Sequence, residues 1–177
     1  MEHVYSLKDD EILTIEEQTI IVEWVKKNYG YFKSTGYNRW CQFLQCFDDL
    51  PPCIWDIKQK IMQKEKLYGY EREPILMDSI GYMIDGGQLH LHTDPNPLNS
   101  DLIHTRFNVY VQLPIKGGYP IYDGSTLKLK ERTYICCKSG IDLHCCEKVE
   151  GDRARIIISF GFLMPKERIQ NITYLYN

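Results

Sequence analysis

The sequence predicts an α+β fold, mainly β, in which two N-terminal helices support a jelly roll or barrel of short strands. Three observations carry that expectation. Apolar residues at helical spacing are confined to the first 67 positions. After Glu73 the texture changes to short strand-like runs broken by turn dipeptides. Helices first and strands after argues against the strand–helix alternation of a parallel α/β sheet.

The first helix is announced by Thr14 and Glu17, a capping box, followed by Ile20, Ile21, Trp24 and Val25 on one face and Gly30 as a stop. A second helix is expected over 52–67, where Ile54, Ile57, Ile61 and Met62 share a face. Between them, 31–50 reads as a loop packed down by Trp40, Phe43 and Phe47. Strands are then expected at 76–84, 88–93, 105–113, 119–122, 126–129, 133–136, 143–145 and 154–163. Their breaks carry Asp85-Gly86-Gly87, Gly117-Gly118, Asp123-Gly124, Ser139-Gly140 and Gly151-Asp152.

With 177 residues, 44% of them hydrophobic, the chain suits one domain able to bury a core. That domain divides into a helical support region, 1–72, and a strand core, 73–177. The net charge of −3 supplies no basic field to recruit nucleic acid or an acidic membrane. No run approaches the length of a membrane helix. Residues 1–10 are polar and acidic, unlike a signal or transit peptide. Seven cysteines, an odd count without a secretory signal, read as free thiols, so the expected location is cytoplasmic. The vicinal pairs Cys136-Cys137 and Cys145-Cys146 make poor zinc sites, because neighbours on a strand point to opposite faces.

Chemistry concentrates in Gly86-Gly87-Gln88-Leu89-His90-Leu91-His92-Thr93-Asp94-Pro95. On a strand, His90, His92 and Asp94 point the same way. An imidazole and a carboxylate two apart can reach one cation, and a third ligand from elsewhere completes a face that suits Fe(II). His144, 50 residues after Asp94, can supply it. A lone His-x-Asp is equally a strand-end hydrogen bond; only the wider pattern separates the two. Arg106, Asn108 and Tyr110 alternate along one expected strand and give it a polar face. His104, at a loop-to-strand edge, reads as solvated.

The stretches "YMIDGGQLHLHTDP" and "LHCCEKVEGDRARIIISFGF" together resemble the 2-oxoglutarate/Fe(II)-dependent dioxygenase superfamily. Its pattern is His-x-Asp, a distal His and then a basic residue, on a double-stranded β-helix (jelly roll). The likeness covers 76–165, includes Gly117-Gly118 after "RFNVYVQLP", and leans to the prolyl and aspartyl/asparaginyl hydroxylase branches. It implies His92, Asp94 and His144 as ligands of Fe(II), with 2-oxoglutarate and O2 as co-substrates. Arg153 and Arg155, at +9 and +11 from His144, are rivals for the far carboxylate of 2-oxoglutarate, which a guanidinium fork matches. Arg155 is preferred because it opens a clean strand, and Ser159 shares its side. Tyr82 and Tyr110 are further co-substrate contacts; Arg106, Asn108 and His90 are candidates for substrate.

The resemblance implies a hydroxylase releasing succinate and CO2, since Asp94 occupies the position that halogenating members leave open. Its substrate is a peptide or protein side chain or a small amino-acid-like molecule, beneath lid loops at 95–104 and 138–143. Two other readings stand beside it. One is a cupin-like metalloprotein using His90 and His92; the other is a non-catalytic β-sandwich binding module with structural histidines.

Overall fold

A computed structural model of the chain describes residues 11–70, 73–74, 77–98 and 101–169. The N-terminal reading (1–10), the start of the strand expected at 76 and part of the expected lid at 95–104 lie outside the described residues.

Helix α1, Ile15–Asn28, begins at the expected capping box: Thr14 Oγ1 accepts from the Glu17 amide at 3.1 Å, and Glu17 accepts from the Thr14 amide at 2.7 Å. Glu16 and Glu17 in its first turn, and Lys26 and Lys27 in its last, complement the helix dipole. Gly30 is not the stop itself but lies in a short 3-10 turn, Tyr29–Tyr31, that follows. Helix α2, Cys53–Lys64, buries Ile54, Ile57 and Ile61 completely. Each contributes about 1.5–3 kcal/mol relative to exposure. It stops short of the expected Leu67.

The segment 31–50, expected to be a loop, instead contains strands β1, Lys33–Gly36, and β2, Arg39–Phe43. They form a hairpin whose turn uses Asn38 in the left-handed region, at φ 50°. The N-terminal region therefore supplies sheet as well as helices. Further strands are β3, Ser79–Met83; β4, Leu102–Gln112; β5, Lys116–Gly117; β6, Pro120–Tyr122; β7, Ser125–Thr126; β8, Tyr134–Cys137; β9, His144–Cys146; β10, Val149–Glu150; and β11, Arg155–Pro165. A four-residue helix, Lys166–Ile169, follows directly.

The major sheet runs β1-β2-β3-β11-β4-β8, antiparallel throughout. Alternation gives it two different faces. Ile80, Phe107, Val109, Ile156, Ile158 and Phe160 face the helices and join Ile21, Trp24, Val25 and Ile57 in the main core. The other face is polar and looks toward two small sheets, β7-β6-β9 and β10-β5. A second core, including Tyr110, Tyr122, Leu127 and Ile157, closes one part of the space between the layers. The result is a mainly β, sandwich-like body with few helices, open where the site lies. No helix among the described residues is long and apolar enough to cross a membrane.

The strand expected at 88–93 does not form. This segment meets β9 and β10 at uneven intervals. Val149 donates to Gly87 O at 2.9 Å, Cys146 to Leu89 O at 3.2 Å, and His92 and His144 exchange amide hydrogen bonds of 3.0 and 2.9 Å. The 87–89–92 and 149–146–144 steps differ by one residue in opposite senses, so only an isolated bridge survives, at His92 and His144.

Candidate active site

That bridge sets two imidazoles side by side, with ring centres 4.3 Å apart. Asp94 joins them from the following turn, its amide held by Ser139 O at 2.7 Å. One ligand atom from each of His92, Asp94 and His144 lies within 4.8 Å of the others. His92 Nε2 is 3.4 Å from Asp94 Oδ1. Both rings are fixed in the same way: Nδ1 of His92 donates to His90 O at 2.8 Å, and Nδ1 of His144 to Asp142 O at 2.9 Å. Each ring thus turns its Nε2 into the cluster, the orientation that metal-binding histidines use, and a cation there would displace the proton that His92 Nε2 shares with Asp94.

Burial alone would raise the Asp94 carboxyl, but its hydrogen bond to His92 and the charge of Arg106 outweigh that and hold it at about 2. The carboxylate is therefore ionised at any ordinary pH. Burial lowers His144 and keeps it neutral, while the Asp94 hydrogen bond raises His92. Two imidazoles and an ionised carboxylate on one face fit a borderline divalent cation such as Fe(II). His90 is exposed and is not part of this ligand group; it borders the same cavity, and its carbonyl accepts from His92 Nδ1. The cupin-like reading thereby loses the ligand on which it stood.

Side chains of β4 and β11 on the polar face link Asp94 to His144. Arg106 Nε lies 3.4 Å from Asp94 Oδ2, and Arg106 Nη1 donates to Ser159 Oγ at 2.8 Å. Ser159 donates to Asn108 Oδ1 at 2.6 Å, and Asn108 Nδ2 to Tyr122 Oη at 3.3 Å. The Tyr122 ring stacks on His144 at 5.5 Å and 25°. Arg106, Asn108 and Ser159, expected as substrate or co-substrate contacts, form the floor that positions the ligands.

These groups border a cavity of about 660 Å3, a size that admits a small ligand or two. Arg155 lines it. Its Nε donates to Gly118 O at 2.6 Å, its guanidinium carbon lies 5.8 Å from the centre of the Tyr110 ring, and no carboxylate among the described residues pairs with it. Tyr110 is wholly buried, and burial pushes its hydroxyl well up, so it stays protonated as a donor.

Arg153, the rival, points elsewhere. It grips Glu131 through both Nη groups and Leu113 O at 2.6 Å, while Glu131 accepts from Gln18 of α1. It is a clamp between sheet and helix. Tyr82, expected beside the co-substrate, also differs: it borders the cavity at the sheet surface, but its ring turns to the helix face, 4.8 Å from Tyr29 and 6.0 Å from Trp40. The parity of β3 decides this, because Gly81 and Met83, not Tyr82, share register and face with Ile157 and Arg155.

His104 was expected to be solvated. Instead it is fully buried, with Nδ1 3.8 Å from Asp94 and Nε2 3.6 Å from Glu73, and burial keeps it neutral. Its place on β4, two residues before Arg106, puts it on the ligand side, a signal available once the strand starts at Leu102. Lys33 and Arg39 of the hairpin also line the cavity and had no sequence signal of their own.

No family model matches the chain, and no curated protein matches it by sequence. Solved structures do match. A viral collagen prolyl hydroxylase from Paramecium bursaria Chlorella virus-1, in complex with 2-oxoglutarate, aligns over 87% of this chain and 93% of its own, at 16% identity and a TM-score of 0.62. A Pseudomonas putida prolyl-4-hydroxylase aligns over 88% and 89% respectively, at 13% identity and a TM-score of 0.62. HygX from Streptomyces hygroscopicus, with nickel and 2-oxoglutarate bound, aligns over 86% and 80%, at 10% identity and a TM-score of 0.63. The chain shares the fold of these three proteins.

Proposed function

We propose that the chain is an Fe(II)/2-oxoglutarate-dependent dioxygenase, a hydroxylase built on a double-stranded β-helix, acting on a peptide or protein side chain or a small amino-acid-like substrate. The observation that carries this reading is one cavity bordered both by the His92–Asp94–His144 cluster, with ligand atoms within 4.8 Å of one another, and by a guanidinium, Arg155, that no carboxylate among the described residues pairs with. His92, Asp94 and His144 would hold the metal. Arg155, steadied by Gly118 and Tyr110, would hold the far carboxylate of 2-oxoglutarate through the Nη fork that its bond to Gly118 leaves over. Iron and 2-oxoglutarate, when bound, supply the oxidising chemistry, with succinate and CO2 as co-products and O2 as oxidant. The protein's own contribution is orientation: Nδ1 bonds set both rings, and Arg106 sets the carboxylate.

Anaerobic Fe(II) titration in the presence of 2-oxoglutarate tests this. The weak visible band of the chelate is expected with the wild-type chain and not with His144→Ala. Unchanged Fe(II) or Mn(II) binding in His92→Ala and His144→Ala would return the protein to a non-catalytic binding module.

Protons compete with the metal for both Nε2 atoms, and His92, raised by Asp94, is the first ligand to protonate as the pH falls. Mn(II) affinity is expected to be level at pH values above the His92 pKa and to drop about tenfold per pH unit below it. Titrations followed by electron paramagnetic resonance across that range check this; a flat profile contradicts it.

Gly118 lies in the left-handed region, at φ +70°, and a Cβ there would meet Pro114 Cγ at 2.6 Å and Arg155 Cδ at 3.2 Å. Gly118→Ala is expected to cost about 1–3 kcal/mol of stability and to weaken 2-oxoglutarate binding by displacing Arg155. Thermal unfolding with parallel 2-oxoglutarate titration reads both effects.

A further inference from the structure

The cavity contains more positive charge than metal and co-substrate binding would use, and from this we infer that Arg39, assisted by Lys33, forms a subsite for a carboxylate of the primary substrate. The inference rests on the function proposed above and narrows its substrate class. Four cationic side chains line the cavity, Lys33, Arg39, Arg106 and Arg155, against one acidic side chain, Asp94. Arg106 is engaged by Asp94 at 3.4 Å, by Ser159 at 2.8 Å and by Glu73 at 3.8 Å. Arg155 answers the far carboxylate of 2-oxoglutarate. Arg39 has no such partner: it is half-buried, the one hydrogen bond of its guanidinium among the described residues goes to Thr35 O at 3.2 Å, and no carboxylate there lies within ion-pair distance.

Register fixes where Arg39 sits. It pairs with Met83, which pairs on its other side with Arg155, so the three stand in one row on the cavity face. Two strand spacings separate the guanidinium-bearing residues, about 10 Å. A co-substrate held between Arg155 and the metal therefore leaves Arg39 free. Lys33, opposite Cys41 on the edge strand β1, adds a solvated positive charge at the rim. Burial already disfavours the Arg39 charge, and a half-buried guanidinium without a counter-ion is matched best by a planar carboxylate that takes its fork.

The test uses the full chain loaded with Mn(II) and 2-oxoglutarate and measures binding of paired probes by titration calorimetry. The pairs are N-acetyl-L-proline against N-acetyl-L-prolinamide, and N-acetyl-L-glutamate α-amide against N-acetyl-L-glutamine amide. The first pair varies a main-chain carboxylate, the second a side-chain carboxylate. At least one acid is expected to bind about ten- to a hundredfold more tightly than its amide. The preference should disappear in Arg39→Gln, return in part in Arg39→Lys, and weaken, with lower salt sensitivity, in Lys33→Ala. Equal binding of acids and amides, no binding of either acid at millimolar concentration, or tighter binding of inorganic phosphate than of the acids overturns the subsite. So does a rise in the 2-oxoglutarate KM in Arg39→Gln, which would place Arg39 with the co-substrate. The anaerobic Fe(II)–2-oxoglutarate band separates the two levels of inference. If it does not form in the wild type, the function proposed above fails; if it forms and acids gain nothing over amides, only the subsite does. The same band in Arg39→Gln shows that the variant is folded.

Discussion

Asp94→Ala is expected to reduce metal-dependent succinate formation from 2-oxoglutarate to background and, separately, to destabilise the metal-free protein. For catalysis, removing a partner of a metal ligand already costs roughly 10- to 100-fold in metal affinity, and loss of one of three direct ligands must exceed that. For stability, the carboxyl falls from its ordinary 3.8 to about 2 in the folded chain. A depressed acid contributes stability that is fully present above its unfolded pKa and lost as the pH falls through the folded one. The difference corresponds to roughly 2 kcal/mol. Urea unfolding of metal-free wild type and Asp94→Ala should show that gap at neutral pH and a closing gap as the pH approaches 2. Arg106 keeps Ser159 at 2.8 Å and His104 keeps Glu73 at 3.6 Å, so the variant still folds. Retained iron-dependent turnover in Asp94→Ala would remove the metal centre from the proposal.

Arg155→Ala is expected to raise the KM for 2-oxoglutarate by roughly 100-fold, because a forked, partly desolvated guanidinium–carboxylate pair is worth several times a surface pair. Arg155→Lys should fall between, keeping the charge and losing the fork. Arg153→Ala provides the contrast. Its side chain is 41% exposed and paired with Glu131, so the variant should lose at most about 1 kcal/mol of stability and leave 2-oxoglutarate affinity nearly unchanged. Steady-state kinetics with 2-oxoglutarate as the varied substrate, beside thermal unfolding, distinguishes the two. The reverse pattern, with Arg153 controlling the KM, would exchange their roles.

The uneven legibility of the site follows from what a linear pattern can carry. His92, Asp94 and His144 were readable because residue type and spacing are enough to nominate ligands. The two arginines were both nominated, and choosing between them needed the position of Glu131, from a loop no spacing rule connects to them. Tyr82 was misplaced by parity: strand type was right, but the face it shows depends on which residues of β11 and β2 stand opposite. His104 was misjudged because its strand starts earlier than the apolar run beginning at Thr105 suggests.

The β1–β2 hairpin was invisible for a related reason. β1 is exposed throughout and β2 is half-exposed throughout, so neither shows the alternation that marks a strand with one dry face. Segment 88–93 presents the opposite case, strand-like in composition yet paired unevenly because its partner carries the compensating bulges.

Local chemistry written into the sequence determined the helix start at Thr14, the β-rich second half and the identity of three side chains suited to a divalent cation. Those features depend on neighbours a few positions away. Tertiary structure decided that Arg155 faces the cavity while Arg153 braces α1, that Tyr82 turns to the helices, and that Arg39 joins the wall. Such choices rest on register between strands up to 80 residues apart, from Ser79 to Ser159, and a one-residue slip in register reverses every side chain on the strand.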